Sequence, residues 1–574
     1  MGGFFLAKKS SDHSEALDKA RSVFAGKGLE LSKTIQTSEF DLLVYNKKTF
    51  SPDNLWEGQD GDFVCATGTL MYKGLMGQKA LATLYRDSDF PNPDFTKLAG
   101  EFALIIRKNQ TTRLFTASSG LYHIFRSQNN RFISSSFLAL RRAVGDISLD
   151  VQSFFEYLLN GAVYGNMTLF NEIKMLDCRS GFDLPSLNPI SLPDYQTVNL
   201  ANLGFDAAVH QVAEDLTKYF EQVQANFGDD ICSALSGGYD SRLILGLLRR
   251  NQISPYIYVY GSDNSPDVRI ARTIADKEGL SLHHTNRANV PPWDPDQYSD
   301  LLRSQYYLSD GMTNTGIFNN GQELQTRQER IKHAKLQLNG GGGEIYRNFW
   351  LLPDRSFSSE KFLVSKYDRF DYSSFCSSFN KKQYFNNLAE KVQFSAETDS
   401  PKLSRTHIAK LYATFRMRYW MGINNSHNAQ FAYSLTPFGE KSFVQTSLTL
   451  PLAWKNKGRF EAALIRQLDE RLASYPSCYG FDFLSGPSFK QSLHETITRN
   501  IPVFLRPWLR KRVHKKSRTI KVPRPYYLES EFLKDMGLRG DWAIQKHLKT
   551  DQVNSPEVLS RALSVECLLR DEFR

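Results

Sequence analysis

The run Ala234-Leu-Ser-Gly-Gly-Tyr-Asp-Ser-Arg-Leu-Ile244 places two adjacent glycines, two serines and an aspartate in one short stretch. An apolar segment, 230–235, reads as a short buried strand, and 242–250 has helical spacing. A strand that ends in a glycine turn and enters a helix at once aims unpaired backbone N–H groups at an anion. The glycines lack Cβ atoms, so phosphate oxygens can approach the backbone closely. Ser236 and Ser241 can donate hydroxyl hydrogen bonds, and Asp240 can hold a Mg2+ that neutralises pyrophosphate. The spacing is not that of a G-x-x-x-x-G-K-[ST] phosphate loop. An incidental Gly-Gly turn is the plainer alternative, and the strand–turn–helix context weighs against it.

Such a turn needs a parallel sheet to hold it. A second apolar run, 255–260, and a helical pattern near 268–279 follow, and this rhythm predicts a doubly wound sheet. The first 150 residues instead hold short β-type runs at 40–45, 63–70, 102–106, 114–117 and 132–135, divided by Gly, Asn and Asp. Helical spacing also occurs there, over 14–25 and 78–85. The Leu/Pro/Asn-rich stretch 184–203 reads as an interdomain linker. Beyond about residue 355 the chain reads as mainly helical and rich in aromatics.

A length of 574 residues allows several domains, each with its own core. Hydrophobic and charged shares of 41% and 23% are those of an ordinary soluble protein. No apolar run approaches the roughly 20 residues that span a bilayer. The start has too short an apolar patch for a signal peptide, and Leu6 stands where a myristoylation signal needs Ser or Thr. A cytoplasmic location is the expectation. Cys65, Cys178, Cys232, Cys376, Cys478 and Cys567 are scattered and read as reduced thiols. The net charge of +10 suits a polyanionic partner: ATP, an acidic carrier or a membrane surface. Residues 506–524 hold Arg506, Arg510, Lys511, Arg512, Lys515, Lys516, Arg518, Lys521 and Arg524 with no acid among them. They mark an anionic partner at 506–524, or else a solvated basic face, and no nucleic-acid motif accompanies them.

Ser236-Gly-Gly-Tyr-Asp-Ser241 resembles the PP-loop of the asparagine synthetase family, whose members include β-lactam synthetases and lasso-peptide cyclases. Tyr258-Val-Tyr-Gly261, Ser265-Pro-Asp267, Ala271, Ala275 and His283-His284 follow the order of that family's second strand and helix. Leu338-Asn-Gly-Gly-Gly-Gly-Glu-Ile-Tyr346 resembles its second Gly-acidic loop. Thr436-Pro-Phe438 and Leu450-Pro-Leu452 resemble later landmarks. Segments 98–103, 118–123, 132–140 and 168–173 resemble its glutaminase domain and the crossover from it. The likeness covers about residues 1 to 480.

The resemblance implies an α/β protein. Residues 1–190 would form a degenerate Ntn-hydrolase-like sandwich of the class II glutamine amidotransferase type. A doubly wound PP-loop synthetase domain over 205–480 and a helical, basic extension over 481–574 would follow. It implies an amide-forming ligase that activates a small-molecule or peptide carboxylate as an acyl-adenylate, with an amine or ammonia as acceptor and a homodimer allowed. ATP would lie against Ala234, Leu235, Ser236, Gly237, Gly238, Tyr239, Asp240, Ser241, Val259, Gly261, Asn339 and Gly340. Asp240 and Glu344 would hold Mg2+, and Ser236, Asp240, Ser241 and Glu344 would be the catalytic set.

Several positions depart from the family. Gly2 stands where glutamine hydrolysis needs a cysteine, Thr67-Gly68 where the family has an oxyanion Asn-Gly, and Ala99-Gly100 where it has a substrate-binding Asp-Gly. The expectation is a scaffold without glutaminase activity, with nitrogen from ammonia, a partner's product or an amine on the acceptor. Arg242 replaces a small residue and would lie near pyrophosphate or at the surface. Gly343-Glu344 replaces Asp-Glu and is one residue shorter, leaving Glu344 as the only carboxylate expected to share Mg2+ with Asp240. Glu461 or Ala462 stands where a lysine should serve the amide-forming step, and Lys455, Lys457 or Arg459 would have to reach in. Asp310-Gly311 could line the acceptor pocket or form an ordinary turn, and 416–420 reads as a buried helix with an acceptor-side role. His283 and His284 alternate on a strand and should not share a metal. Two rival readings stay open: an intramolecular amide cyclase acting on a natural product, peptide or surface sugar, and a nucleotide-binding pseudoenzyme scaffold.

Overall fold

The computed structural model describes residues 2–49, 54–89, 91–193, 197–368, 370–510, 523–538 and 540–573. Two six-stranded antiparallel sheets stack in the N-terminal part. One runs in the order Ile173–Met175, Phe125–Ser127, Phe132–Ser134, Gly3–Lys8, Phe40–Tyr45, Leu31–Gln36. The other runs Asn188–Ser191, Ser180–Leu184, Thr111–Thr116, Leu98–Lys108, Phe63–Tyr72, Leu55–Glu57. Strand alternation makes the layers. Phe4, Leu6, Leu42 and Val44 meet Cys65, Ala103, Ile105 and Leu114 between the sheets. Phe5, Ala7, Leu43 and Tyr45 face helices His13–Gly26 and Phe137–Val144 on the outside. Val64, Ala66, Phe102 and Leu104 face helix Gly77–Asp87 on the other side. The stretch expected to be a linker carries the strand Asn188–Ser191, which pairs with Ser180–Leu184 because its extended backbone completes that sheet's edge.

The second half is built on a five-stranded parallel sheet in the order Leu282–Thr285, Tyr256–Tyr260, Ile231–Ala234, Leu336–Leu338, Tyr433–Leu435. Ile257 and Val259 pack on helix Pro266–Glu278 through Val268, Ala271 and Ile274. Tyr258 and Tyr260, one residue out of phase, meet Arg330 of helix Gln322–His333 on the opposite face. The sheet is therefore doubly wound. Its order reverses direction between Ile231–Ala234 and Leu336–Leu338, and a crevice opens at the carboxyl ends of strands at such a switch point. The last helix, Pro556–Arg570, is no appendage: Leu559, Ala562 and Leu568 share a core with Phe154 and Leu158 of helix Val151–Asn160.

The outer strand of the parallel sheet, Tyr433–Leu435, docks on the ends of the interior strands Phe63–Tyr72 and Leu98–Lys108. Glu440 accepts hydrogen bonds from the N–H of Gly100 (2.8 Å) and from Tyr219 (3.1 Å), and the Ser434 N–H donates to Thr69 Oγ1 (3.0 Å). Burial pushes the Glu101 carboxyl up to about 8 and that of Glu440 up to about 7. Asp310 is buried against Lys27 at 2.7 Å and receives the N–H groups of Phe137 and Leu138, so Asp310-Gly311 serves this junction.

Candidate functional site

Both glycine loops leave the sheet at the switch point. After Ala234 the chain turns through Ser236-Gly-Gly, and helix Tyr239–Arg250 starts at once with no side-chain cap on its N-terminus. Those uncapped N–H groups are the orphan donors of a helix start, which favour an anion. The Ser236 N–H donates to Ser241 Oγ (3.0 Å), the two hydroxyls sit 3.0 Å apart, and Gly238 N–H donates to Ser236 Oγ (3.3 Å). Gly237 N–H donates to Asp267 (2.9 Å), and its carbonyl accepts from the Cys478 N–H (3.0 Å). The turn is thus held from both sides.

Arg242 takes neither expected place. It is fully buried and donates to the carbonyls of Tyr475 and Pro476, both at 2.8 Å, so its charge anchors the segment that carries Cys478. The segment's unpaired carbonyls need donors, and a buried guanidinium supplies several.

After Leu338 the second loop runs through Asn339-Gly-Gly-Gly-Gly to the short helix Gly343–Tyr346. Gly340 lies against the start of helix Tyr239–Arg250. This brings Glu344 beside Asp240, with an unforeseen residue between them. Arg347 Nη2 stands 2.6 Å from Asp240 and 3.5 Å from Glu344, and its Nε stands 2.5 Å from Glu461. Glu461 belongs to the first turn of helix Arg459–Leu468 and is fully buried. Glu344 also accepts from Tyr412 and from the Gly342 N–H.

Three acids therefore surround one guanidinium, with Glu461 joining Asp240 and Glu344 there. A Cβ at position 343 would stand 2.6 Å from both Asp240 Oδ1 and Glu461 Oε1, so a glycine there leaves room for the acid from the helix. Lys455, Lys457 and Arg459 do other things. Lys455 is buried near Arg405, Lys457 gives its backbone N–H to Glu495, and Arg459 covers the Phe205 ring.

The acids divide the charge unequally. Burial pushes Glu461 well above the usual carboxylate range, the Asp240 charge adds to this, and Arg347 opposes it. Burial lifts Asp240 to about 6 against the pull of Arg347. Burial also presses Glu344 upward, but Arg347 and the Tyr412 hydroxyl outweigh it and hold the group below its ordinary value. Asp240 and Glu344 are the two acids that flank Arg347 Nη2.

These two carboxylates offer the hard oxygen donors that Mg2+ prefers, and the Arg347 guanidinium lies between them. Among the described residues no group of three His, Cys, Asp or Glu side chains is set to hold a metal as it stands.

A cavity of about 300 Å3 opens beside the second loop, lined by Asn339, Gly341, Glu344, Tyr412, Arg416 and Trp420. Arg416 and Trp420 also line a larger cleft of about 1100 Å3 that reaches Asn160, Asn314 and the 551–558 segment. The wall they share is a π-helix, Tyr412–Met421, capped by a Gly422 N–H bond to the Met417 carbonyl. Such helices are rare and recur at functional sites. The wider turn sets Tyr412, Arg416 and Trp420 along one side, with the Arg416 guanidinium 3.9 Å above the Trp420 ring.

Not every expected nucleotide residue faces this space. Leu235 and Val259 are buried in the apolar layer beneath helix Pro266–Glu278. The Gly261 carbonyl lies 2.8 Å from His284 Nε2 and its N–H bonds to Thr285. His283 stacks on Tyr256, so the two histidines diverge as their alternation requires. Ala234, Ser236, Gly237, Gly238, Tyr239, Asp240 and Ser241 stay together around the first turn, with Asn339 and Gly340 across from them. Asp267, Arg347 and Tyr412 were missed as site residues. Asp267 had a sequence signal, its place in Ser265-Pro-Asp267, whereas Arg347 and Tyr412 had none.

No protein-family model matches the chain, and no curated protein matches it. Solved structures give faint likenesses. One is described as the allosteric regulatory enzyme of purine biosynthesis, with 11% identity over 52% of this chain and 69% of that one and a TM-score of 0.24. Another is glutamine phosphoribosylpyrophosphate amidotransferase from B. subtilis complexed with ADP and GMP, with 10% identity over 51% and 69% and a TM-score of 0.22. Likenesses at these scores inform neither fold nor reaction, which rest on the geometry above.

Proposed function

We propose that the chain is an ATP-dependent amide-forming ligase of the asparagine synthetase type that works without glutamine hydrolysis of its own. One observation carries this reading: two glycine loops meet at a sheet switch point, one presenting N–H groups and serine hydroxyls, the other a carboxylate opposite Asp240. In the proposed reaction a carboxylate oxygen attacks the α-phosphorus of ATP and pyrophosphate leaves. An amine then attacks the acyl carbon, AMP departs and the amine loses a proton.

The uncapped N–H groups of helix Tyr239–Arg250, with Ser236 and Ser241, would hold the pyrophosphate oxygens as charge gathers there. Mg2+ bound by Asp240 and Glu344 would neutralise phosphate charge. Arg347 brings from the loop the positive charge that the family's lysine brings from the helix. Glu461 brings from the helix a carboxylate that the loop has given up. This exchange of places favours an enzyme over a pseudoenzyme scaffold.

Arg416, at the neck between the two cavities, would receive the substrate carboxylate, since guanidinium matches carboxylate geometry. The roomy cleft behind it favours a large acid, and with it the intramolecular cyclase or amidating enzyme of a natural product, peptide or surface sugar, over free aspartate. ATP–pyrophosphate exchange across a panel of carboxylates tests the reading. At least one acid should support exchange, and Asp240→Asn should lower it by about a hundredfold or more. Undiminished exchange in that variant would place the site elsewhere.

A further inference from the structure

The surface richest in apolar side chains lies far along the chain from these loops. Helix Phe489–Asn500 has no buried residue. Phe489 is 84% exposed, Leu493 49% and Ile497 56%, and their i, i+4, i+8 spacing puts them on one face. The turn that follows adds Phe504, 75% exposed, with Leu505 and Trp508 beside it. Six of the thirteen large apolar side chains exposed among the described residues therefore fall within 489–508, where isolated ones would be unremarkable.

The patch is firmly seated. Arg506 turns inward and donates to the carbonyls of Leu351 (2.9 Å) and Arg499 (3.0 Å), and helix Phe489–Asn500 starts with a Ser488–Gln491 capping box. Its charge setting comes from the sequence. Residues 511–522 contribute six Lys and Arg and no acid, while Arg506, Arg510 and Arg524 donate to backbone carbonyls of the chain itself. Residues 511–522 lie outside the described residues, and only their composition enters here.

We propose that helix Phe489–Asn500 and the turn through Trp508 are a docking surface for an anionic lipid membrane. An apolar stripe on a short helix, with aromatics at one end and a polybasic flank, lies in the plane of the headgroups. No helix of the described residues is long and apolar enough to cross a membrane, and the proposed contact is a peripheral one. The two signals act together: apolar side chains enter the acyl boundary while the cations hold the chain to the charged surface. This proposal does not depend on the ATP site.

Cosedimentation of the full chain tests it, using vesicles of phosphatidylcholine alone and of phosphatidylcholine mixed with phosphatidylglycerol. Binding to the mixed vesicles should exceed binding to the neutral ones by about tenfold at low salt and fall as salt is raised. Replacing Phe489→Ser together with Ile497→Ser should lower binding by about tenfold. The thermal melt should be unchanged, because both side chains already face solvent. Three results would overturn the proposal. They are equal binding to neutral vesicles, undiminished binding of the double variant, and light scattering that shows a dimer which the double variant dissolves.

Discussion

The N-terminal sandwich and the parallel-sheet half both bury many polar groups, and they differ in where those groups point. In the sandwich the positions that would carry glutamine chemistry are walled in by the chain. The Gly2 N–H bonds to the Tyr45 carbonyl, and a Cβ at that position would stand 2.5 Å from the Asn46 oxygen. Cys65 is 1% exposed, and burial pushes its thiol up to about 12. Thr67-Gly68 and Ala99-Gly100 lie on paired strands whose backbones nearly touch. Around the switch point, by contrast, hydroxyls, helix N–H groups and three carboxylates converge on a crevice with a cavity beside it. A buried polar group becomes a candidate for chemistry when its unspent valence faces a space a ligand can enter; otherwise it is part of the frame.

That contrast can be broken most forcefully at Arg347. Arg347→Ala leaves three acids around an empty centre and should cost about 3 kcal/mol of stability in denaturant unfolding. Arg347→Lys should recover most of that stability yet slow pyrophosphate exchange about tenfold, because an ammonium cannot reproduce the planar fork. Equal exchange rates in Arg347→Lys and the unaltered protein would reduce Arg347 to a structural cation.

The frame should respond to pH instead. Glu101 titrates near 8 in the folded chain, well above an unfolded glutamate, so the folded state holds the extra proton between about pH 4.5 and 8. Its contribution is present below that window and is lost as pH rises through it. Glu101→Gln should therefore stabilise the fold by about 1–2 kcal/mol at pH 8, read from thermal unfolding, and hardly at all at pH 5. A larger gain at pH 5 would reverse the assignment. The smallest effect belongs to Cys65. Cys65→Ala should leave turnover with any nitrogen donor within error and cost about 1 kcal/mol in stability, and loss of activity would reopen the sandwich as a catalytic half.

Much of this was legible in the sequence. The strand–glycine–helix pattern placed Ser236 to Ser241 correctly because the chemistry and the local geometry come from the same few residues. The β-type runs marked strands such as Phe40–Tyr45 and Phe63–Tyr72 because strand preference is a local property, whereas the sandwich was implied only by the resemblance. Arg347 and Glu461 were illegible as a pair, since 461 is brought beside 347 by the packing of helix Arg459–Leu468 on the first-loop helix. Arg242 misled because its neighbours in sequence are the loop, while its partners are carbonyls of Tyr475 and Pro476. Reading 184–203 as a linker missed the strand Asn188–Ser191, because a Pro- and Asn-rich stretch can still pair as an edge strand.

The helix Tyr412–Met421 has a consequence for how this protein can change over generations. Its face toward the cavities is set by chain length as much as by side-chain identity, because a wider turn needs an extra residue to close. Point substitutions along it would adjust the wall by a few atoms. Loss of a single residue would tighten the coil and rotate Arg416 and Trp420 relative to Tyr412. Small insertions and deletions between 412 and 421, rather than substitutions, are then the changes that would most reshape the cavity wall.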